Sequence, residues 1–346
     1  MKAITRRWKL WLGLLISAGC LYLALSGLQL PALWEAMKAA RYWWLIPGVI
    51  VYFFAVWART WRWHYMLRPL KRVSLGRLFP VVCIGYMGNN IYPARAGEVI
   101  RSYVLRRKEG ISMSASLATV LVERIFDGVV MLLFVFLGLP FMPMIEMLRN
   151  VVVIGSVVFF GALLVFLVLA SRPQWAQRVY RPLLARFLPE RLGRPLGGFL
   201  DRFFVDGLQS LRSVSDIAMI FLTSLVIWLA ETVKYWFVMH AFSFAVPFYV
   251  LMLMNGVVNL ATTIPSSPGY VGTFDLPGIK ILESYGVLSA TAAAYTLVLH
   301  GALWFPITVV GAFYMWREQV SWRDFSAAAE ARRAGPEPAS TSGAAG

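Results

Sequence analysis

The sequence predicts an all-α, polytopic integral membrane protein, and three observations carry that prediction. Of its 346 residues, 59% are hydrophobic and 14% charged, where soluble domains carry ~25% charged residues. Apolar runs of helical length recur from Leu10 to Trp316, which makes the membrane region a domain with its own core rather than an anchor. The net charge of +16 is concentrated in a few connecting segments, the pattern of loops held on the cytoplasmic side against anionic headgroups. That charge does not call for nucleic acid as a partner.

A hydrocarbon core of ~30 Å takes about 20 helical residues. The first candidate span, Leu10 to Leu30, follows the basic start MKAITRRWK, but it is long and Trp-bordered and reads as a retained helix rather than a cleaved signal. Tyr42 to Ala58, Ala115 to Leu139, Asn150 to Ala170, Ile217 to Phe242 and Leu288 to Trp316 bring the number of full spans to six. Two shorter apolar runs, Leu78 to Tyr92 and Phe248 to Ile264, each end at a proline, Pro93 or Pro265. Proline lacks the N–H a helix needs and restricts the residue before it. These two runs therefore predict re-entrant helical hairpins, which a hydropathy count would score as eight segments in all.

Loop charge assigns the sides. Residues 1–9 carry four bases and no acid, 59–77 carry six bases and no acid, and 171–216 carry eight Arg against four acids. All three belong in the cytoplasm by the basic-loop rule, whereas 140–149 and 243–247, with one base between them, belong outside. The sides agree if Leu78 to Arg107 dips in from the cytoplasm and Phe248 to Ser284 dips in from outside. The order helix, helix, re-entrant pair, helix then occurs twice in opposite orientation, an inverted-topology repeat with halves 10–139 and 150–316. Pro93-x-x-x-Gly97-x-Val99 and Pro265-x-x-x-Gly269-x-Val271 repeat the same spacing. Both termini are expected in the cytoplasm of a multi-pass cell (inner) membrane protein. Residues 171–216 alternate Arg with Leu and Phe and predict amphipathic helix at the cytoplasmic interface. Residues 317–346, rich in Ala, Gly, Ser and Pro, predict a disordered tail after a membrane domain spanning 1–316.

Backbone broken by Pro and Gly within lipid is tolerated only where protein buries it or water reaches it. The stretch NNIYPARAGEVIRSYVLRR, from Asn89 to Arg107, should therefore line a cavity, as should NLATTIPSSPGYVGTFDLPG, from Asn259 to Gly278. An ionised side chain at the bilayer centre costs ~2.5–3.5 kcal/mol on insertion scales, so charges here need partners or a role. Arg95 and Arg101, beside Gly97, are the candidate binders of an anion. Glu98, Glu123, Arg124 and Asp127 form the surrounding network, with Glu123 and Asp127 four apart on one helical face. Two readings stand for these acids: contact with substrate or protons, or neutralisation of the arginines. In the second half Glu231 and Lys234 are spaced to pair within a helix, and Asp275 follows Gly269 and Gly272, which serve either a tight turn or close backbone approach to an anion.

No metalloprotease helix, phosphate-binding glycine loop, dinucleotide fingerprint or nucleophile elbow occurs, so no catalytic residue, metal or cofactor is assigned. His64, His240 and His300 have no ligand spacing to one another or to acids, and Cys20 and Cys83 sit singly in apolar segments. WARTWRWHYMLRPLKR reads as an interfacial aromatic belt with bases beyond it, or as a grip on a headgroup.

Taken together, Pro93-Ala94-Arg95-Ala96-Gly97-Glu98, Glu123-Arg124 with Asp127, and Pro265-Ser266-Ser267-Pro268-Gly269 running into Gly272-Thr273-Phe274 resemble the lysylphosphatidylglycerol synthase transmembrane family, also called the flippase-like domain family. The likeness covers Leu10 to Trp316, and the acid after Gly-Thr-Phe, often Glu in that family, is Asp275 here. The resemblance implies a protein that moves an anionic phospholipid or a lipid-linked precursor between leaflets, with the phosphate headgroup as its ligand and a lipid- or glycan-synthesis protein as a candidate partner. In some relatives the region is fused to an aminoacylating domain. None follows Trp316 in this sequence, so synthase activity is not expected. The rival expectations are an enzyme acting on a lipid-linked substrate and a scaffold without catalysis.

Overall fold

The computed structural model describes residues 8–25, 29–92, 95–138, 160, 161, 164, 168, 172–187, 190–201, 203, 208, 211, 213–263 and 266–320. The regular structure among them is helical, with no strand. In chain order the helices are α1 (Trp8–Leu25), α2 (Leu30–Lys38), α3 (Leu45–Leu67), α4 (Leu75–Ile91), α5 (Ala96–Glu109), α6 (Met113–Gly138), α7 (Pro173–Phe187), α8 (Glu190–Asp201), α9 (Val214–Met239), α10 (Phe248–Ala261), α11 (Asp275–Ser284) and α12 (Ser289–Arg317). Among the described residues, three stretches are long and apolar enough to cross a membrane: Tyr42–Leu67, Val214–Met239 and Ser289–Arg317. Helix α6 is equally long, at 26 residues, but carries Glu123, Arg124 and Asp127 in its middle.

Two expected boundaries are corrected. The first helix stops at Leu25 rather than Leu30, and a separate helix starts at Leu30 with Pro31 in its first turn, the one place where a missing N–H costs a helix nothing. The second span does not end at Ala58 but runs to Leu67, because Arg59 and Arg62, expected in a cytoplasmic loop, are buried against acids of other helices. Of the remaining expectations, the fourth span (150–170, apart from four residues), both prolines, Pro93 and Pro265, and the tail beyond Val320 lie outside the described residues. Within 171–216, α7 and α8 pack on each other, and Gln177 and Tyr180 donate to the Asp201 carboxylate.

The packing is reciprocal between the two parts of the chain. Helices α3 and α9 lie along each other at the centre; α4 packs on α12, and α10 packs on α6. Each short helix also packs on the helix that follows it, α4 on α5 and α10 on α11. Close approach depends on small residues. A Cβ on Gly97 would fall on the Gly85 carbonyl oxygen, and one on Gly256 would lie 2.8 Å from the Met131 carbonyl oxygen. One apolar core, with Val56, Trp63, Ile84, Val104 and Val122, fills the first part, and a second, with Val238, Met254, Ile279 and Tyr295, fills the other. Between them lies a belt of charge.

Candidate functional site

The belt is built where α4 and α10 end. Helix α4 stops at Ile91 and α5 restarts at Ala96, with Arg95 as its N-cap in the left-handed region (φ 51°). Helix α10 stops at Ala261; a turn follows in which Gly269, Tyr270 and Gly272 have φ of 73°, 63° and 82°, and α11 begins at Asp275. Arginine and tyrosine pay a steric penalty at positive φ, so the surrounding structure must hold them there. The two residues meet, the Arg95 guanidinium lying 5.8 Å from the Tyr270 ring centre. Arg95 also donates to the Thr262 hydroxyl at 3.3 Å and lies 3.8 Å from Glu98.

Below this contact the carboxylates are each clamped by cations from other helices. Asp127 on α6 accepts from Arg62 of α3 at 2.7 Å, from the Trp228 indole of α9 at 2.9 Å, and lies 3.0 Å from Arg124. Glu123 pairs with Arg101, whose guanidinium lies 4.7 Å from the Trp63 ring centre. Glu231 on α9 pairs with Lys234 and accepts from Arg59 of α3 at 2.6 Å. Arg124 reaches back to Glu98 at 3.6 Å. The network therefore sets Arg59, Arg62, Arg95, Arg101, Arg124 and Lys234 against Glu98, Glu123, Asp127 and Glu231, leaving an excess of positive charge in an apolar setting. The Nε atoms of Arg59, Arg62, Arg101 and Arg124 are buried without a hydrogen-bond partner, as are Oε1 of Glu98 and Glu123 and Oδ1 of Asn89, so the belt holds open donors and open acceptors together.

A cavity of about 130 Å³ opens onto this network. Its walls include Arg59, Arg95, Arg124 and Glu231, with Asn89, Asn259 and Thr262 between them and Tyr86, Trp228, Tyr270 and Trp304 as aromatic faces. On the wall nearest α12, His300 Nδ1 lies 2.8 Å from Asp275 Oδ1 and Nε2 lies 2.7 Å from the Gly269 carbonyl oxygen. The second Asp275 oxygen accepts the Gly272 N–H at 2.8 Å.

The candidates named from sequence thus divide. Arg95, Arg124, Glu231 and Gly269 line the cavity. Arg101, Glu123, Asp127 and Lys234 are buried beside it in ion pairs, and Glu98 links Arg95 to Arg124. Gly97 and Gly272 serve packing: a Cβ on Gly272 would strike the Ser17 carbonyl of α1. Asp275 accepts the Gly272 N–H of the preceding turn and faces His300. Sequence reasoning missed Arg59, Arg62 and His300. In sequence the two arginines read as part of an interfacial belt; Arg59, four residues from both Ala55 and Trp63, and Arg62, seven from Ala55 and four from Met66, share the buried face of α3, and that spacing is the signal. No short-range spacing announces His300. Among the described residues, no group of His, Cys, Asp and Glu is arranged to hold a metal ion.

No solved structure matches the chain. It is 26% identical over 296 residues to the protein named Glycosyltransferase AglD of Haloferax volcanii, covering 77% of this chain and 47% of that one, so it spans about half the length of that relative. Two proteins of Methanothermobacter thermautotrophicus, both named UPF0104 membrane protein, are 24% identical over 292 residues and 26% over 280, covering 78% and 76% of this chain and 83% and 82% of theirs. Residues 10–311 match the family model described as Lysylphosphatidylglycerol synthase TM region, and with nearly the whole helical domain inside that match, the chain belongs to this family of membrane proteins.

Proposed function

We propose that the protein moves an anionic phospholipid, or a lipid-linked precursor with a phosphate headgroup, between the leaflets of the cell membrane. The observation that carries this reading is the cavity walled by Arg59, Arg95 and Arg124, set among buried cations that outnumber their carboxylates. Arginine suits phosphate because its planar fork donates two hydrogen bonds at once and stays charged when buried. The polar head crosses through the cavity while the acyl tails stay in lipid. Six full spans, two re-entrant hairpins entered from opposite sides and cytoplasmic termini give this cavity access to both faces. The reciprocal packing of α4 on α12 and of α10 on α6 supports that inverted arrangement.

The relative named a glycosyltransferase favours a second reading, in which this membrane region binds a lipid-linked substrate for an enzyme, its own or a partner's in lipid or glycan synthesis. Liposomes containing only this protein separate the two. Inward and outward movement of a labelled anionic lipid, with its mass unchanged, supports the transporter. A change in lipid mass establishes an enzyme, and binding with neither movement nor conversion establishes a scaffold.

A further inference from the structure

The environment of His300 fixes a proton count. Nδ1 faces a carboxylate oxygen of Asp275 at 2.8 Å and Nε2 faces the Gly269 carbonyl at 2.7 Å. A carbonyl only accepts, so Nε2 must carry hydrogen. With both Asp275 oxygens acting as acceptors, one of the Gly272 N–H and one of a ring N–H, the further proton between Nδ1 and Asp275 is placed on the ring, an imidazolium beside a carboxylate. A neutral ring beside an ionised Asp275 would set two lone pairs against each other. The second Asp275 oxygen is already committed to the Gly272 N–H, so the acid cannot turn away without giving up its bond to the turn.

We propose that His300 and Asp275 together form a proton-binding site whose occupancy is linked to an anionic headgroup in the adjoining cavity. This rests on the headgroup reading above. The extra proton pins the turn: His300 bonds Gly269, Gly269 and Tyr270 are both held at positive φ, and Tyr270 covers Arg95. Loss of the proton breaks one of the two ring hydrogen bonds and releases a turn that is strained without them. The charged and titratable groups lining the same cavity besides His300 are Arg59, Tyr52, Tyr86, Arg95, Arg124, Glu231, Tyr235 and Tyr270. Its arginines disfavour a proton on the pair while the cavity is empty, and an arriving anion cancels that field and favours it. Headgroup and proton thus bind cooperatively, each raising the other's affinity by the same factor, and the charge of the head is carried across in part neutralised.

Histidine labelled with ¹⁵N tests this directly, because the chain has three histidines and His300→Gln identifies the resonance. In nanodiscs of phosphatidylcholine near neutral pH, His300 should carry the extra proton. Replacing part of the lipid with phosphatidylglycerol should raise its proton affinity by roughly 5- to 150-fold, the usual range for linked sites, and leave His64 and His240 in place. In Asp275→Asn the amide can still accept the Gly272 N–H while donating to Nδ1, so the fold persists and His300 should become the neutral Nε2–H tautomer that ignores the anionic lipid. A neutral His300 in the wild-type protein, or an unchanged spectrum in Asp275→Asn, overturns the proton site. Phosphatidylglycerol affinity is measured on the same discs: lipid that binds without moving the His300 titration overturns the linkage, whereas absence of binding counts against the headgroup reading itself.

Discussion

Arg95 and Tyr270, two non-glycine residues with a left-handed backbone, stand at the turns of two different interrupted helices and touch across the cavity, guanidinium to ring centre at 5.8 Å. Each is held at a cost in local strain, and each is held by the other half of the chain. Such a contact ties the two interrupted helices together at the wall of the cavity.

Arg95 and Arg101 should respond differently to the same substitution. Arg95 lines the cavity, so on the headgroup proposal Arg95→Lys should weaken lipid binding and translocation about tenfold or more with little change in melting temperature. Arg101 is buried against Glu123 beneath Trp63, so Arg101→Ala should lower stability by roughly 3–5 kcal/mol, the cost of stranding a buried charge. Thermal melting in detergent alongside lipid translocation in liposomes checks both; full transport by folded Arg95→Ala would move the binding site elsewhere.

Arg62 and Asp127 pair in the interior, and neither is among the residues lining the cavity. Both side chains are 1% exposed, and Asp127 also holds Trp228 and Arg124. Asp127→Ala should destabilise by about 3–5 kcal/mol, while replacing Arg62 and Asp127 together with Met and Leu should recover much of that loss. If the double variant melts no higher than the single one, the pair does more than neutralise itself.

Gly97→Ala tests the hairpin. Its Cβ would fall on the Gly85 carbonyl, backbone that cannot swing aside, so overpacking should cost at least about 1–3 kcal/mol. Alanine at Gly76, which has open space around it, should be silent in the same melting assay.

Glu109, at the end of α5, faces Lys71 at 2.9 Å and Arg77 at 3.3 Å. Burial pushes its carboxyl up, but these two cations outweigh burial and hold it below the usual range. A depressed folded value means stability that is present above the unfolded value of about 4.3 and lost as pH falls through the folded one. Glu109→Gln should therefore melt lower than wild type at neutral pH, and the gap should close as the wild type is acidified; a gap independent of pH would contradict the assignment.

The inverted arrangement predicts opposite sides for two exposed positions, Arg68 and Ser243. Single cysteines there, in a background without Cys20 and Cys83, should react with an impermeant thiol reagent from the cytoplasmic and outer sides respectively. Labelling of both from one side would refute the topology.

The sequence by itself determined the helical class and the extent of several long helices, though not the break before Leu30 or the reach of α3 to Leu67. Long apolar runs, set off by charge and by turn residues, predicted Ala115 to Leu139 where the helix is Met113–Gly138, and Leu288 to Trp316 where it is Ser289–Arg317. A hydrophobic run has its length written in neighbouring residues, because lipid thickness and hydrogen bonding along the helix are local constraints. The charged candidates were legible for a related reason: Glu123, Asp127, Glu231 and Lys234 stand out where lipid penalises them. Only the tertiary structure decided what each one does. Arg59 and Arg62 pass for interfacial bases until partners 172 and 65 residues away, Glu231 and Asp127, close on them. His300 acquires its meaning from Asp275 and a turn carbonyl, and Arg101 loses its place at the cavity to Arg59 and Arg124. Those outcomes depend on which helix faces meet, and ion pairing in a low-dielectric interior is settled by distance in space rather than separation along the chain.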